Sequence, residues 1–211
     1  MTKPVLITAD STCDLSAELL REFNIKTTPL TIQLGDKSYQ DGVDFSPAIM
    51  YERYRAEGIL PTTSAPNIPQ FIDFFTPFIE AGYEVVHLDI SSDLSSTFAN
   101  ARLAASELEG VYTVDSRMLS SGVALLAIEG AKLRDEGKSA AEIAKALEEL
   151  TDKVDTSFVL DTLEFLHKGG RCSALAAMGA IMDQNAPRRP EPLNPADAER
   201  SDFVSFCLAC K

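Results

Sequence analysis

Only two histidines, His87 and His167, occur in the 211-residue chain. Catalysis that needs a base near neutral pH therefore has few groups to draw on. The four cysteines, Cys13, Cys172, Cys207 and Cys210, are too few and too scattered for a disulfide framework. Cys207-Leu-Ala-Cys210 is a lone CxxC, without the second pair that zinc needs or the strand-then-helix setting of a redox site. No run of about 18 apolar residues is present, so no membrane-spanning helix is expected. The opening MTKPVLITADST has one lysine and a very short apolar run before Asp10, unlike a signal peptide. Positive charge is scarce as well. Nineteen Lys and Arg face 32 Asp and Glu, for a net charge of -13. That balance opposes nucleic acid and anionic membrane surfaces, but not a buried site for a single anion, where local dipoles decide. The patterns GxGxxG, GxxxxGK[ST], HExxH and GxSxG are all missing. The expectation is a cytoplasmic protein with no metal, no cofactor, no nucleic-acid partner and no membrane insertion.

What is present is ordinary globular material, 45% hydrophobic and 24% charged, enough to bury a core. PVLITAD reads as a buried strand ending at Asp10. A short helix follows in STCDLSAELLREFN, with Ser11 or Asp14 as its cap. KTTPLTIQLGDKSYQDG alternates around Gly35-Asp36, which predicts a hairpin. Ser46 and Pro47 open a helix. PTTSAPNIP reads as a polar turn, and an aromatic-rich helix runs from about Pro69 to Ala81. Regular alternation comes next. YEVVHLDI is a strand. STFANARLAASELEG is a helix with Phe98, Ala101, Ala105 and Leu108 on one face. VYTVD is a strand, RMLSSGVALLAIEGAKLRDEG and KSAAEIAKALEELTDK are helices, and TSFVLDTL is a strand. FLHKGGRCSALAAMGA reads as a turn and the start of a helix. Strands alternating with helices imply an α/β fold, a mostly parallel sheet with helices on both faces. Ligands of such sheets bind beyond the carboxyl ends of the strands.

Four groups of residues at those ends could carry chemistry. The first is DISSDLSSTF, Asp89 to Phe98, where Ser91, Ser92, Ser95, Ser96 and Thr97 surround the start of a helix. Hydroxyls and free helix N–H groups suit a carboxylate or phosphate, and simple capping is the alternative. The second is Thr62, Thr63 and Ser64, held between Pro61 and Pro66; alone it reads as an exposed turn. The third is HKGGR, in which His167, Lys168 and Arg171 gather positive charge around Gly169-Gly170. It is either an anion or docking site or a glycine-closed helix end. The fourth is the strand-end acids Asp10, Asp89 and Asp115, for which capping is favoured over a cation site. His87 is mid-strand and reads as core. A Ser-dependent hydrolase or transferase would have to use Ser95 or Ser96 with His167 as base.

Taken in order, ADSTCDLS, TTSAP, SSDLSSTF, VDSRMLSSG and LDTLEFLHKGGR resemble the DegV family of fatty-acid-binding proteins, from about Val5 to Gly179. The resemblance implies two α/β domains with a long-chain fatty acid between them and no chemistry in the carrier itself. It implies that Thr63 and Ser95 hold the carboxylate, that the N–H of Ser96 assists, and that Arg171 lies near the carboxylate and a docking surface. Thr62, Ser64, Ser92 and Lys168 are secondary candidates beside them. Where the family loop carries Gly after that Ser, this chain has Ser96. The resemblance also implies a partner, an ATP-dependent fatty acid kinase that phosphorylates the bound acid. Beyond Gly179 the match stops. The expectation is a first domain over 1–153, an incomplete second α/β domain over 154–180, and an irregular Pro-rich tail over 181–211.

Overall fold

The structure, a computed structural model, describes residues 3–154, 156, 159–160 and 181–182. Its chain divides into two compact units: Met1–Leu30 with Ala65–Thr156, and Thr31–Ser64 with Ser157–Lys211. Residues 31–64 thus interrupt the stretch 1–153 and group with the second unit.

The first unit is built on a parallel sheet. Its strands are β1 (Val5–Asp10), β2 (Ile25–Thr28), and two later ones, Glu84–Asp89 and Val111–Asp115. Val5–Asp10 is buried at every residue, as a strand covered on both faces must be. After β2 the chain enters the second unit. There β3 (Thr31–Leu34) and β4 (Lys37–Gln40) form the expected hairpin, with Leu34 opposite Lys37 and Gly35 at φ +60 in the turn. Helix α2 (Pro47–Glu57) follows, capped by Ser46 and closed by Gly58 at φ +67. The segment expected as a polar turn is strand β5 (Thr62–Ser64), antiparallel to β3 with Thr63 opposite Ile32. Two β-branched threonines favour extended backbone, which the partner strand then completes. Ile32, Leu34, Phe45 and Met50 form a small core in this unit.

The first unit resumes with α3 (Ile68–Glu80), whose Asn67–Gln70 capping box satisfies its first turn. Then come β6 (Glu84–Asp89), α4 (Thr97–Ala105), β7 (Val111–Asp115), α5 (Ser121–Asp135) and α6 (Ala140–Thr151). The sheet order is β2-β1-β6-β7, parallel throughout, with Ile7 between Ile25 and Val86. The period of two along β6 divides its side chains. Val86 and Leu88 join Ile7, Ala9, Leu126, Ile143 and Leu147 in a core under α5 and α6. Val85 joins Phe71, Phe75, Ala101 and Ala104 under α3 and α4. Helices therefore cover both faces, as expected. In the second unit, β8 (Val159–Leu160) and β9 (Ile181–Met182) pair in parallel.

Three local expectations are corrected. The cap of α1 (Ala17–Glu22) is Ser16, which accepts from Leu19 N–H. Ser11 lies in a preceding 3-10 turn that ends at Asp14, whose φ is 56. The buried stripe of α4 is Thr97, Ala101 and Ala104, one position from the predicted Phe98 and Ala105. The helix expected from Arg117 begins at Ser121, because Arg117 and Ser120 have φ of 54 and 50, incompatible with a right-handed helix.

Candidate functional site

In the first unit the chain runs outward from β1 to β2 and later returns to β6 on the other side of β1. The loops after β1 and β6 therefore part company at the carboxyl end of the sheet, where open α/β sheets bind ligands. The serine-rich loop is the one after β6.

That loop is held from within. Ser91 N–H donates to the Met118 carbonyl at 2.8 Å, and the Ser91 carbonyl accepts from Leu94 N–H at 3.0 Å and Ser95 N–H at 3.1 Å. The Ser91 hydroxyl, buried, accepts from Asp93 N–H. Ser92 N–H reaches the Asp115 carboxylate at 3.2 Å. At the start of α4, the hydroxyl of half-buried Ser95 accepts from Thr97 N–H at 3.3 Å and lies 2.7 Å from the Thr97 hydroxyl. The Ser91 and Ser95 hydroxyls thus make short-range bonds of the kind serine and threonine make, two residues along the chain, and neither is the helix cap. Ser96, at the cap position itself, is exposed and makes no side-chain cap bond. Ser92 is also exposed.

Thr97 is fully buried, and its hydroxyl faces that of Ser95. When Thr97 is the donor, the Ser95 oxygen accepts from both the amide and the hydroxyl of Thr97. Its own hydrogen is then left for a further acceptor. Such an O–H beside the positive end of a nine-residue helix suits a carboxylate.

Behind the loop lies a buried polar cluster. His87, fully buried, contacts the Thr8 hydroxyl through Nδ1 at 2.7 Å and Asp89 Oδ1 through Nε2 at 3.1 Å. Its ring is packed edge-on by Phe71 and Phe75, with centroids at 5.5 and 5.1 Å. Asp89 Oδ2 is buried without a hydrogen-bond partner. Asp10 accepts from Thr12 N–H and Ile90 N–H, both at 2.9 Å, and from the Thr12 hydroxyl. Burial, and after it the charge of Asp89, push the Asp10 carboxyl above the usual carboxylate range, against the hydrogen bonds that favour its charged form. Burial pushes the neighbouring Cys13 thiol up to about 12. Asp115 accepts from Arg117 N–H at 3.0 Å as well as from Ser92. The structural role expected of the strand-end acids is thus observed for Asp10, which caps the 3-10 turn, and for Asp115, which bonds loop N–H groups, whereas Asp89 does neither and meets His87 instead. No group of three or more His, Cys, Asp or Glu able to hold a metal occurs among the described residues.

In the second unit, Thr63 is half-buried on β5, and Thr62 and Ser64 on either side of it are exposed. His167, Lys168, Arg171 and the CxxC at Cys207 lie outside the described residues. The one histidine among the described residues, His87, is enclosed and engaged on both nitrogens, so it offers no base to Ser95 or Ser96. Reading the sequence missed the Thr8–His87–Asp89 cluster and the bond from Ile90 to Asp10. The available signal was polar residues at 8, 10, 87 and 89 in otherwise apolar strands.

A family model described as "Uncharacterised protein, DegV family" matches residues 4–181. The chain is 34% identical over 171 residues to a DegV domain-containing protein of Clostridium perfringens, covering 80% of this chain and 61% of that one. It is 35% identical over 181 residues to one of Deinococcus radiodurans, with coverage of 85% and 64%. Among solved structures it is similar to a DegV family protein from Thermus thermophilus described for its fatty acid binding. There the TM-score is 0.71 at 32% identity, over 83% of this chain and 64% of that chain. It is also similar to a stearic-acid-binding protein from Eubacterium ventriosum, with a TM-score of 0.70 at 29% identity, over 85% and 64%. The fold is that of these DegV-type α/β proteins, and this chain belongs to the DegV family. It spans 61 to 65% of the length of the curated relatives it matches. No helix among the described residues is long and apolar enough to cross a membrane.

Proposed function

We propose that this chain binds a long-chain fatty acid without chemically altering it, and that Ser95 and Thr63 hold its carboxylate. The observation that carries the reading is the placement of the Ser95 hydroxyl. Thr97 engages its oxygen from behind, at the start of α4. The fatty acid binding described for the Thermus and Eubacterium proteins supports the choice of ligand. A carboxylate removed from water needs its lone pairs satisfied, and hydroxyls with helix N–H groups do that without a buried cation. The backbone N–H of Ser96 is the nearest further donor in sequence. By the same family resemblance Arg171 is a further head-group candidate, with Thr62, Ser64, Ser92 and Lys168 as secondary ones. The acyl chain contributes affinity by burial, about 0.8 kcal/mol per methylene.

A carrier of this kind needs no nucleophile and base. The partner in this reading is an ATP-dependent fatty acid kinase in the cytoplasm, which takes the presented acid to an acyl phosphate. Mass spectrometry of gently purified full-length protein under native conditions is expected to find one bound long-chain fatty acid. A ligand-free spectrum from cells supplied with fatty acid opposes the reading.

A further inference from the structure

The turn after β1 carries the ADST motif, to which the head-group reading gives no role. Asp10 sits fully buried at the carboxyl end of β1, beside the point where β6 ends. Its Oδ2 accepts from Ile90 N–H at 2.9 Å. Its Oδ1 accepts from Thr12 N–H and the Thr12 hydroxyl. Ile90 is the last residue before the serine-rich loop. Ser91, next to it, carries on its carbonyl both Leu94 N–H and Ser95 N–H. The main chain that places Ser95 is thus suspended from Ile90 and Ser91, and the amide of Ile90 is suspended from Asp10. The same motif reaches the next loop, since the Thr12 carbonyl accepts from Ser120 N–H at 3.0 Å, where α5 begins.

A carboxylate kept in such a place is costly. It has lost its water, and the charge of Asp89 opposes it. Sealing a turn within one loop does not require it, because a serine or threonine hydroxyl caps equally well. What a carboxylate adds is a second oxygen, able to accept from a different loop at the same time. We infer that Asp10 is a positioning residue for the head-group site: its two oxygens tie the β1 turn to the amide of Ile90 and thereby set where the Ser95 hydroxyl stands. The inference rests on the reading of the Ser95 loop as a carboxylate site.

The test uses full-length protein as wild type, Asp10→Asn, Thr12→Ala and Thr12→Ser. Each is freed of lipid and titrated with palmitic acid and with hexadecanol, which shares the chain but not the carboxylate. An asparagine keeps one acceptor oxygen and turns an NH2 toward either Ile90 N–H or the Thr12 donors. Asp10→Asn is expected to weaken palmitate binding by about tenfold or more while hexadecanol changes by less than about threefold. Thr12→Ala is expected to shift the acid-to-alcohol ratio in the same direction, and Thr12→Ser to restore it. A parallel loss for both ligands makes Asp10 merely structural and overturns the inference, as does an unchanged ratio. If Asp10→Asn does not fold, the Thr12 pair decides by the same criterion. A wild type that binds the acid no better than the alcohol fails differently: it overturns the head-group reading, and the inference with it.

Discussion

Gly122 lies in the first turn of α5, in ordinary helical backbone, so nothing about its conformation demands glycine. Helix propensity alone makes Gly122→Ala stabilising by about 1 kcal/mol. Packing says the reverse. A Cβ at this position stands 2.7 Å from Met118 Cβ and 2.7 Å from its sulfur. The sulfur can swing away, but a Cβ moves only with its backbone. Met118 is buried, and its carbonyl accepts from Ser91 N–H at 2.8 Å, so a shift there reaches the serine-rich loop. Overpacking of this kind costs about 1–3 kcal/mol, which exceeds or cancels the propensity gain. We expect Gly122→Ala to be less stable by up to about 2 kcal/mol, seen as a lower urea midpoint at unchanged slope. The melting point should fall by about 2–4 °C for each kcal/mol. Gly130→Ala is the comparison, because its Cβ meets Leu147 Cδ1 at 3.1 Å, the movable end of a side chain. It should stay within about 1 kcal/mol of wild type. A Gly122→Ala protein more stable than wild type by about 1 kcal/mol refutes the close approach of α5 to Met118.

Two further predictions follow from the buried groups beside the loop. Cys13 is 1% exposed with a thiol pushed up to about 12, so it holds almost no thiolate near neutral pH. Peptide mapping after brief iodoacetamide treatment at pH 7.5 should find Cys13 unmodified until denaturant is added, and rapid native-state modification contradicts its burial. Asp10 has a folded-state pKa above the ordinary value of 3.8, so the folded protein takes up its proton first as pH falls. In that window the native state binds more protons than the unfolded state, and this group's contribution to stability rises on acidification through the raised pKa toward 3.8. Asparagine lacks that gain. The stability deficit of Asp10→Asn, measured by urea unfolding, should therefore widen as pH falls from 7 toward 3.8, and a deficit that is constant or narrows over that whole range contradicts the raised pKa.

Much of the fold was legible because burial leaves a plain signature in the sequence. VLITAD and EVVHLD are largely apolar runs that each end in an acid, and they are the two central strands of the sheet. The hairpin at Gly35 and the Ser46–Pro47 helix start were equally readable from their turn and cap residues. TTS was not, because three polar residues between prolines look like a turn until β3 supplies a partner strand. The late start of α5 was hidden because an SRMLSS sequence does not announce two left-handed residues. At the site, the serine-rich loop and its helix were legible from hydroxyl count and periodicity. Which hydroxyl pairs with Thr97 was not, since that depends on the local geometry of the Ser95–Thr97 contact. The role of Asp10 was hidden for a related reason. Its partner Ile90 is 80 residues away in sequence, and only the sheet order brings them together.

The central claim is that Ser95 and Thr63 bind a fatty acid carboxylate. Its most direct test is an equilibrium titration of lipid-free, full-length protein with a long-chain fatty acid, repeated for Ser95→Ala and Thr63→Ala. A hydrogen bond to a charged group is worth about 1.5–3 kcal/mol, so each variant should bind roughly 10- to 150-fold more weakly than a saturable wild type. Exposed Lys145→Ala, on α6 and outside every head-group candidate, serves as the control and should bind nearly as wild type. Unchanged affinity in both Ser95→Ala and Thr63→Ala contradicts the account.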